Sequence, residues 1–258
     1  MHTALLILED GSQVRGQAFG AQADRVFELV FNTAMSGYQE MISDPSYHGQ
    51  GIVFTTAQVG NVGANRADVE SGRPQASAVV LRALSGMVSN VRAETSLPDW
   101  LAESGVPGIA EVDTRWLTRK LRDQGSMKAA LSTCGTSLET LRGLLKDWPG
   151  LDGRDTVGEV TCAAPYAWAG DAGSPWVESG QLSSAQGERT SAHLVVYDFG
   201  VKRNILRHLA ARGARVTVVP AYTSYDQVRA LQPDGVLLSN GPGDPAGLPE
   251  IVGVVRQL

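Results

Sequence analysis

The sequence predicts an α/β protein: a β-rich α/β domain over residues 1–150, a linker over 151–191 and an incomplete parallel sheet over 192–258. Three observations carry this. Near the N-terminus two β-like runs, Thr3 to Leu8 and Gln13 to Phe19, are joined by Glu9-Asp10-Gly11-Ser12, and an Asp-Gly between such runs is a strong hairpin signal. From His193 onward apolar runs alternate with helical patterns, which by the right-handed crossover rule means parallel, doubly wound strands. Finally, the run Val236-Leu237-Leu238 stops abruptly at Ser239-Asn240-Gly241-Pro242-Gly243-Asp244-Pro245, as a buried strand does when it empties into a rigid loop.

Length and composition bound the rest. A chain of 258 residues can bury two cores, and 43% hydrophobic with 19% charged residues is ordinary for a globular protein. No run of 18 apolar residues occurs, so no membrane span is expected. The N-terminus lacks the basic lead and long apolar core of a signal peptide, which leaves the cytoplasm as the expected location. Two cysteines, Cys134 and Cys162, fit a reducing compartment and exclude a disulfide framework or a four-cysteine zinc site. A net charge of −5 without a basic block argues against a nucleic-acid surface.

Taken in order, the hairpin is followed by a third strand, Arg25 to Phe31, and then by Asn32 to Tyr47, polar, aromatic and too long for a simple connection. Its closing Asp44-Pro45-Ser46-Tyr47 is a turn that presents the Ser46 hydroxyl, either to stabilise the turn or to serve a ligand. Gly51 to Thr56 and Ala76 to Leu81 read as strands. The glycines of Gly60 to Asn65 between them lack the pattern of a phosphate cradle. Ser96 opens a helix ending near Gly105. Asp113 caps another over Thr114 to Asp123, with Leu117 and Leu121 on its buried side. Arg115, Arg119, Lys120 and Arg122 make the other side of that helix basic, a solvated face or a docking face. Lys128 to Leu131 is a strand and Ser137 to Asp147 a helix.

Between Leu151 and about Ser191 periodicity gives way to Gly, Ser, Ala and Pro, with Trp168 and Trp176 placed to lie against a domain surface. Beyond it come strands His193 to Tyr197, Arg215 to Val219 and Gly235 to Leu238. Helices Val201 to Arg212 and Ser224 to Leu231 lie between them, and a last helical pattern runs from Leu248 to Leu258. No fourth strand follows, so the expectation is a sheet cut within a domain, its missing half either lost or supplied from elsewhere.

Several chemistries fall away. Asp198-Phe199-Gly200 stands without the other kinase motifs. Neither cysteine follows a buried strand at a glycine-flanked elbow, so both read as structural thiols. The four histidines show no metal spacing, and no metal ligands are expected. The glycine loop remains, readable as a strand-ending turn or as a holder of an oxyanion or carboxylate.

That loop, with Val195-Val-Tyr-Asp-Phe-Gly-Val-Lys-Arg-Asn-Ile-Leu206, resembles the class I glutamine amidotransferase domain of carbamoyl phosphate synthetase small subunits. Leu5 to Gly11, Phe31 to Glu40, Asp44 to Tyr47, Gly60 to Gly63, Ile109 to Arg115 and Leu117 to Arg119 resemble the same family's N-terminal domain. The resemblance implies an incomplete flavodoxin-like sheet and a glutaminase subunit that delivers ammonia to a large subunit. It implies that Gly241 supplies an oxyanion N–H, that Gly243 binds L-glutamine and that Ser46 reaches the same substrate. The partner it implies is the large synthetase subunit, which holds ATP and Mg and makes carbamoyl phosphate from bicarbonate for arginine and pyrimidine synthesis; no cofactor is expected in this subunit. The family's nucleophilic cysteine, histidine and glutamate come later than Leu258, so the expectation is a chain without catalytic residues of its own, inactive alone. The alternative is a non-catalytic docking or regulatory partner of a synthetase subunit.

Overall fold

The computed structural model describes residues 3–170 and 192–258 and divides into two compact units, Met1–Leu151 and Asp152–Leu258. The expectations for residues 171–191, Trp176 among them, lie outside the described residues.

The first unit is a closed seven-stranded barrel. Its strands are β1 (Thr3–Leu8), β2 (Gln13–Gly20), β3 (Asp24–Asn32), β4 (Gln50–Phe54), β5 (Ala78–Val80), β6 (Pro107–Ala110) and β7 (Met127–Ser132), in the order β1-β2-β6-β5-β4-β3-β7. The β3-β4-β5-β6 neighbours are parallel and the remainder antiparallel. Side chains alternate across each strand, so Leu6 and Leu8, Phe27 and Leu29, Val53, Val80, Ile109 and Leu131 meet in one core. Leu117 and Leu121 of helix α3 (Thr114–Gln124) join that core.

Opposite-facing residues find other cover. Ile52, Phe54, Val79 and Leu81 pack with Tyr38 and Ile42 of α1 (Tyr38–Ser43) and with Leu97 and Leu101 of α2 (Leu97–Glu103). Leu5 and Ile7 pack with Leu141 and Leu145 of α4 (Leu138–Asp147). The helix starts are those the caps announced: Ser96, Asp113 and Ser137 accept from the N–H groups of Asp99, Trp116 and Thr140. Three elements go beyond the sequence reading. The Asn32–Tyr47 stretch holds α1 and a 3-10 turn at Pro45–Tyr47, and β6 begins on Pro107-Gly108, residues that ordinarily punctuate.

The second unit is a four-stranded sheet in the order β11-β9-β10-β8, from β8 (Tyr166–Ala167), β9 (His193–Asp198), β10 (Arg215–Pro220) and β11 (Gly235–Leu238). β9, β10 and β11 are mutually parallel, and β8 runs antiparallel on β10. Val196, Val216 and Val218 on one face pack with Leu206 of α5 (Arg203–Ala211). Val195, Tyr197 and Val219 on the other pack with Val228 of α6 (Tyr225–Ala230) and Val254 of α7 (Pro249–Val255). Helices on both faces make the sheet doubly wound, as expected. Trp168 packs into the first of these clusters, and β8 makes residues 166–167 of the 151–191 stretch part of the sheet itself.

Candidate functional site

Strand order locates the site. From β9 the chain moves to β10 on one side, then returns to place β11 on the other. The connections therefore diverge between β9 and β11, and in open α/β sheets ligands bind at that switch point, beyond the carboxyl ends of the strands. The loops that leave those ends are 198–202 and 239–245.

The two loops are stitched together by short polar side chains. The Phe199 N–H donates to Ser239 Oγ at 3.0 Å, and the Ser239 hydroxyl donates to the Asn240 carbonyl at 2.7 Å. Asn240 spans the gap in both senses: its Nδ2 donates to the Gly200 carbonyl at 2.9 Å and its Oδ1 accepts from the Lys202 N–H at 3.3 Å. Asp198, buried at the end of β9, accepts from the N–H groups of Gly200 (3.0 Å) and Val201 (2.8 Å) through one oxygen, and from that of Cys162 (2.8 Å) through the other.

Glycine is required at both ends of Pro242 for different reasons. A Cβ on Gly241 would lie 2.1 Å from the Phe199 carbonyl oxygen, a backbone atom that cannot swing aside. Gly243 has φ +78°, and its Cβ would meet Thr156 Oγ1 at 2.4 Å. The N–H groups of Gly241 and Gly243 make no hydrogen bond among the described residues. Both glycines line a pocket of about 370 Å³ whose other walls include Phe199, Leu238, Leu248, Ile251 and Val255. A backbone N–H without a partner beside a low-dielectric wall can stabilise negative charge on a bound oxygen.

The residues sequence reading placed here divide between the units. Gly241 and Gly243 stand together in the loop. Ser46 belongs to the first unit, half-buried in the 3-10 turn, where its N–H donates to Asp44 Oδ1 at 2.9 Å. Asp198, Ser239 and Asn240 were missed as loop-holding residues, although an Asp two residues before a glycine at a strand end is a readable turn signal. Residues 152–162 were missed as a support of the loop: Gly247 abuts Gly153 and Arg154, and Val157 packs with Ile251 and Leu248.

The two cysteines differ in their surroundings. Burial first, then the Asp198 charge, pushes the Cys162 thiol up to about 12, which suppresses the thiolate a nucleophile needs. Cys134 is exposed just past β7. His193 is buried on β9 with its Nε2 2.8 Å from Thr217 Oγ1, and His208 lies exposed on α5. Among the described residues no group of three or more His, Cys, Asp or Glu side chains could hold a metal ion.

Comparison with known proteins gives the class to which this loop belongs. Residues 195–258 match the family described as glutamine amidotransferase class-I, and residues 6–131 match the carbamoyl-phosphate synthase small chain, CPSase domain. The chain is 47% identical over 251 residues to the carbamoyl phosphate synthase small chain of Halomonas eurihalina, covering 94% of this chain and 64% of that protein. It is 48% identical over 246 residues to that of Pectobacterium atrosepticum, covering 94% and 63%. With that of Syntrophotalea carbinolica the identity is 44% over 255 residues, covering 99% and 67%. The chain belongs to the carbamoyl phosphate synthase small chain family. It spans a little under two thirds of the length of the first two of these relatives.

Proposed function

We propose that this chain carries the glutamine-holding part of a glutaminase subunit, which hydrolyses glutamine and hands ammonia to a large, ATP-using subunit that makes carbamoyl phosphate. The observation that supports it most is the pair of free N–H groups of Gly241 and Gly243 in a rigid loop at the switch point of the sheet. When a thiolate adds to the side-chain amide of glutamine, the carbonyl oxygen becomes an oxyanion. A fixed backbone donor aimed at it contributes on the order of 3 kcal/mol to the rate. In this reading Gly241 is that donor, Gly243 holds the substrate, and the Ser46 hydroxyl is a further glutamine contact. Neither Cys134 nor Cys162 is the nucleophile, so the 258 residues alone bind glutamine without turning it over.

Titration of the chain with L-glutamine, followed by the amide resonances of Gly241 and Gly243, tests the site. Saturable shifts at both, weakened in Ser46→Ala, are expected, and unmoved resonances overturn the assignment. A glutaminase assay on the same protein is expected to stay at background; turnover there means that one of the two cysteines has been misread.

A further inference from the structure

The glycine loop rests on a strap, residues 152–162, that is tied down at both ends. At one end the Tyr222 hydroxyl donates to Asp155, whose Oδ1 also accepts from the Gly158 N–H at 2.9 Å. At the other, Thr161 Oγ1 accepts from the Ala221 N–H at 2.9 Å, and the Cys162 N–H donates to Asp198 Oδ2 at 2.8 Å. Between these ties Val157 is buried against Ile251 and lines the pocket of Gly241 and Gly243. Thr156, only 2% exposed, lies outside the lining of that pocket, and its Oγ1 is the atom that a Cβ on Gly243 would strike. That hydroxyl has no hydrogen-bond partner among the described residues.

A buried hydroxyl left unpaired costs free energy that a valine of the same shape avoids, and few buried polar side chains go unpaired. Thr156 thus calls for a partner that it gains in another state of the protein. The loop offers one. The Pro242 carbonyl accepts no hydrogen bond among the described residues, and the Gly243 N–H donates none. Both belong to one planar peptide, whose N–H and C=O point in opposite directions. Turning the N–H into the pocket turns the carbonyl away from it. We infer that Thr156 is a positioning residue: when glutamine takes the Gly243 N–H, the Thr156 hydroxyl donates to the Pro242 carbonyl and fixes that peptide in its binding orientation. The inference rests on the glutamine site proposed above and deepens it by naming what holds its donor in place.

The test compares the 258-residue chain with its Thr156→Val and Thr156→Ser variants by thermal melting and by titration with L-glutamine, following the amide resonances of Gly241 and Gly243. Thr156→Val is expected to melt at or above the wild-type temperature, because it removes an unpaired buried hydroxyl. It is nevertheless expected to bind glutamine about tenfold more weakly, with the loss of shift concentrated at Gly243. Thr156→Ser keeps the hydroxyl and is expected to return the affinity to within about threefold of wild type. A side chain that only supported the fold would lower melting temperature and affinity together. Wild-type affinity in Thr156→Val, or a Thr156→Ser as weak as Thr156→Val, overturns the positioning role and leaves the glutamine site intact. So does a Thr156→Val that melts well below wild type, since the hydroxyl is then already paired in the free protein. If the wild-type chain shows no shift at either glycine, the glutamine site falls, and the role of Thr156 with it.

Discussion

A single methyl group tests the glycine loop. In Gly241→Ala the new Cβ meets the Phe199 carbonyl 2.1 Å away, so the loop must move as a whole. The expected cost is about 1–3 kcal/mol of stability, together with loss of the glutamine-induced shifts; a denaturant midpoint and the titration read the two separately. A second residue makes its effect through protons. Burial, reinforced by the charges of Asp68 and Glu70 and opposed by Arg92, raises the Glu40 carboxyl above its ordinary 4.5. The folded state thus holds this proton more tightly than the unfolded state. The associated stability is fully present below the unfolded value and is lost as pH rises through the raised one. Glu40→Gln is expected to be more stable than wild type near neutral pH and to flatten the decline of the melting temperature above pH 4.5, measured as a pH series of thermal melts.

The loops beyond β9 and β11 act as one element because Asn240 holds them together. Asn240→Ala leaves the Gly200 carbonyl and the Lys202 N–H without that partner, and the expected loss is about 1–3 kcal/mol. Faster exchange of the Lys202 amide is the measurement that separates a loosened loop from a uniformly weakened sheet. At this scale much was legible in the sequence. Caps at Ser96, Asp113 and Ser137 declare their helices locally, and Gly235–Leu238 reads as a strand from its own residues. What could not be read there is pairing. β6 starts with Pro107 and Gly108, and it is a strand because β2 and β5 lie on either side of it. β8 is two residues long and exists only against Thr217 and Val218. Gly241 and Gly243 could be picked out by motif, whereas the absence of a partner for their N–H groups among the described residues had to await the fold.

At the scale of the whole molecule, each unit has a core of its own, and the proposed glutamine-holding loop belongs to the second. The closing seam of the barrel has a consequence for the order of events during synthesis. Leu5 pairs with Ser132 and Leu8 with Ala129, and the same β7 strand also pairs with β3. Until β7 leaves the ribosome, β1 and β3 each carry an open edge, and the hairpin that forms first has nothing to shut against. Closure over so long a stretch of chain is slow, and unpaired strand edges invite pairing with other nascent chains. Between translation of Leu8 and of Met127 both of these edges stand open, and slower decoding within that interval is expected to lengthen the exposure.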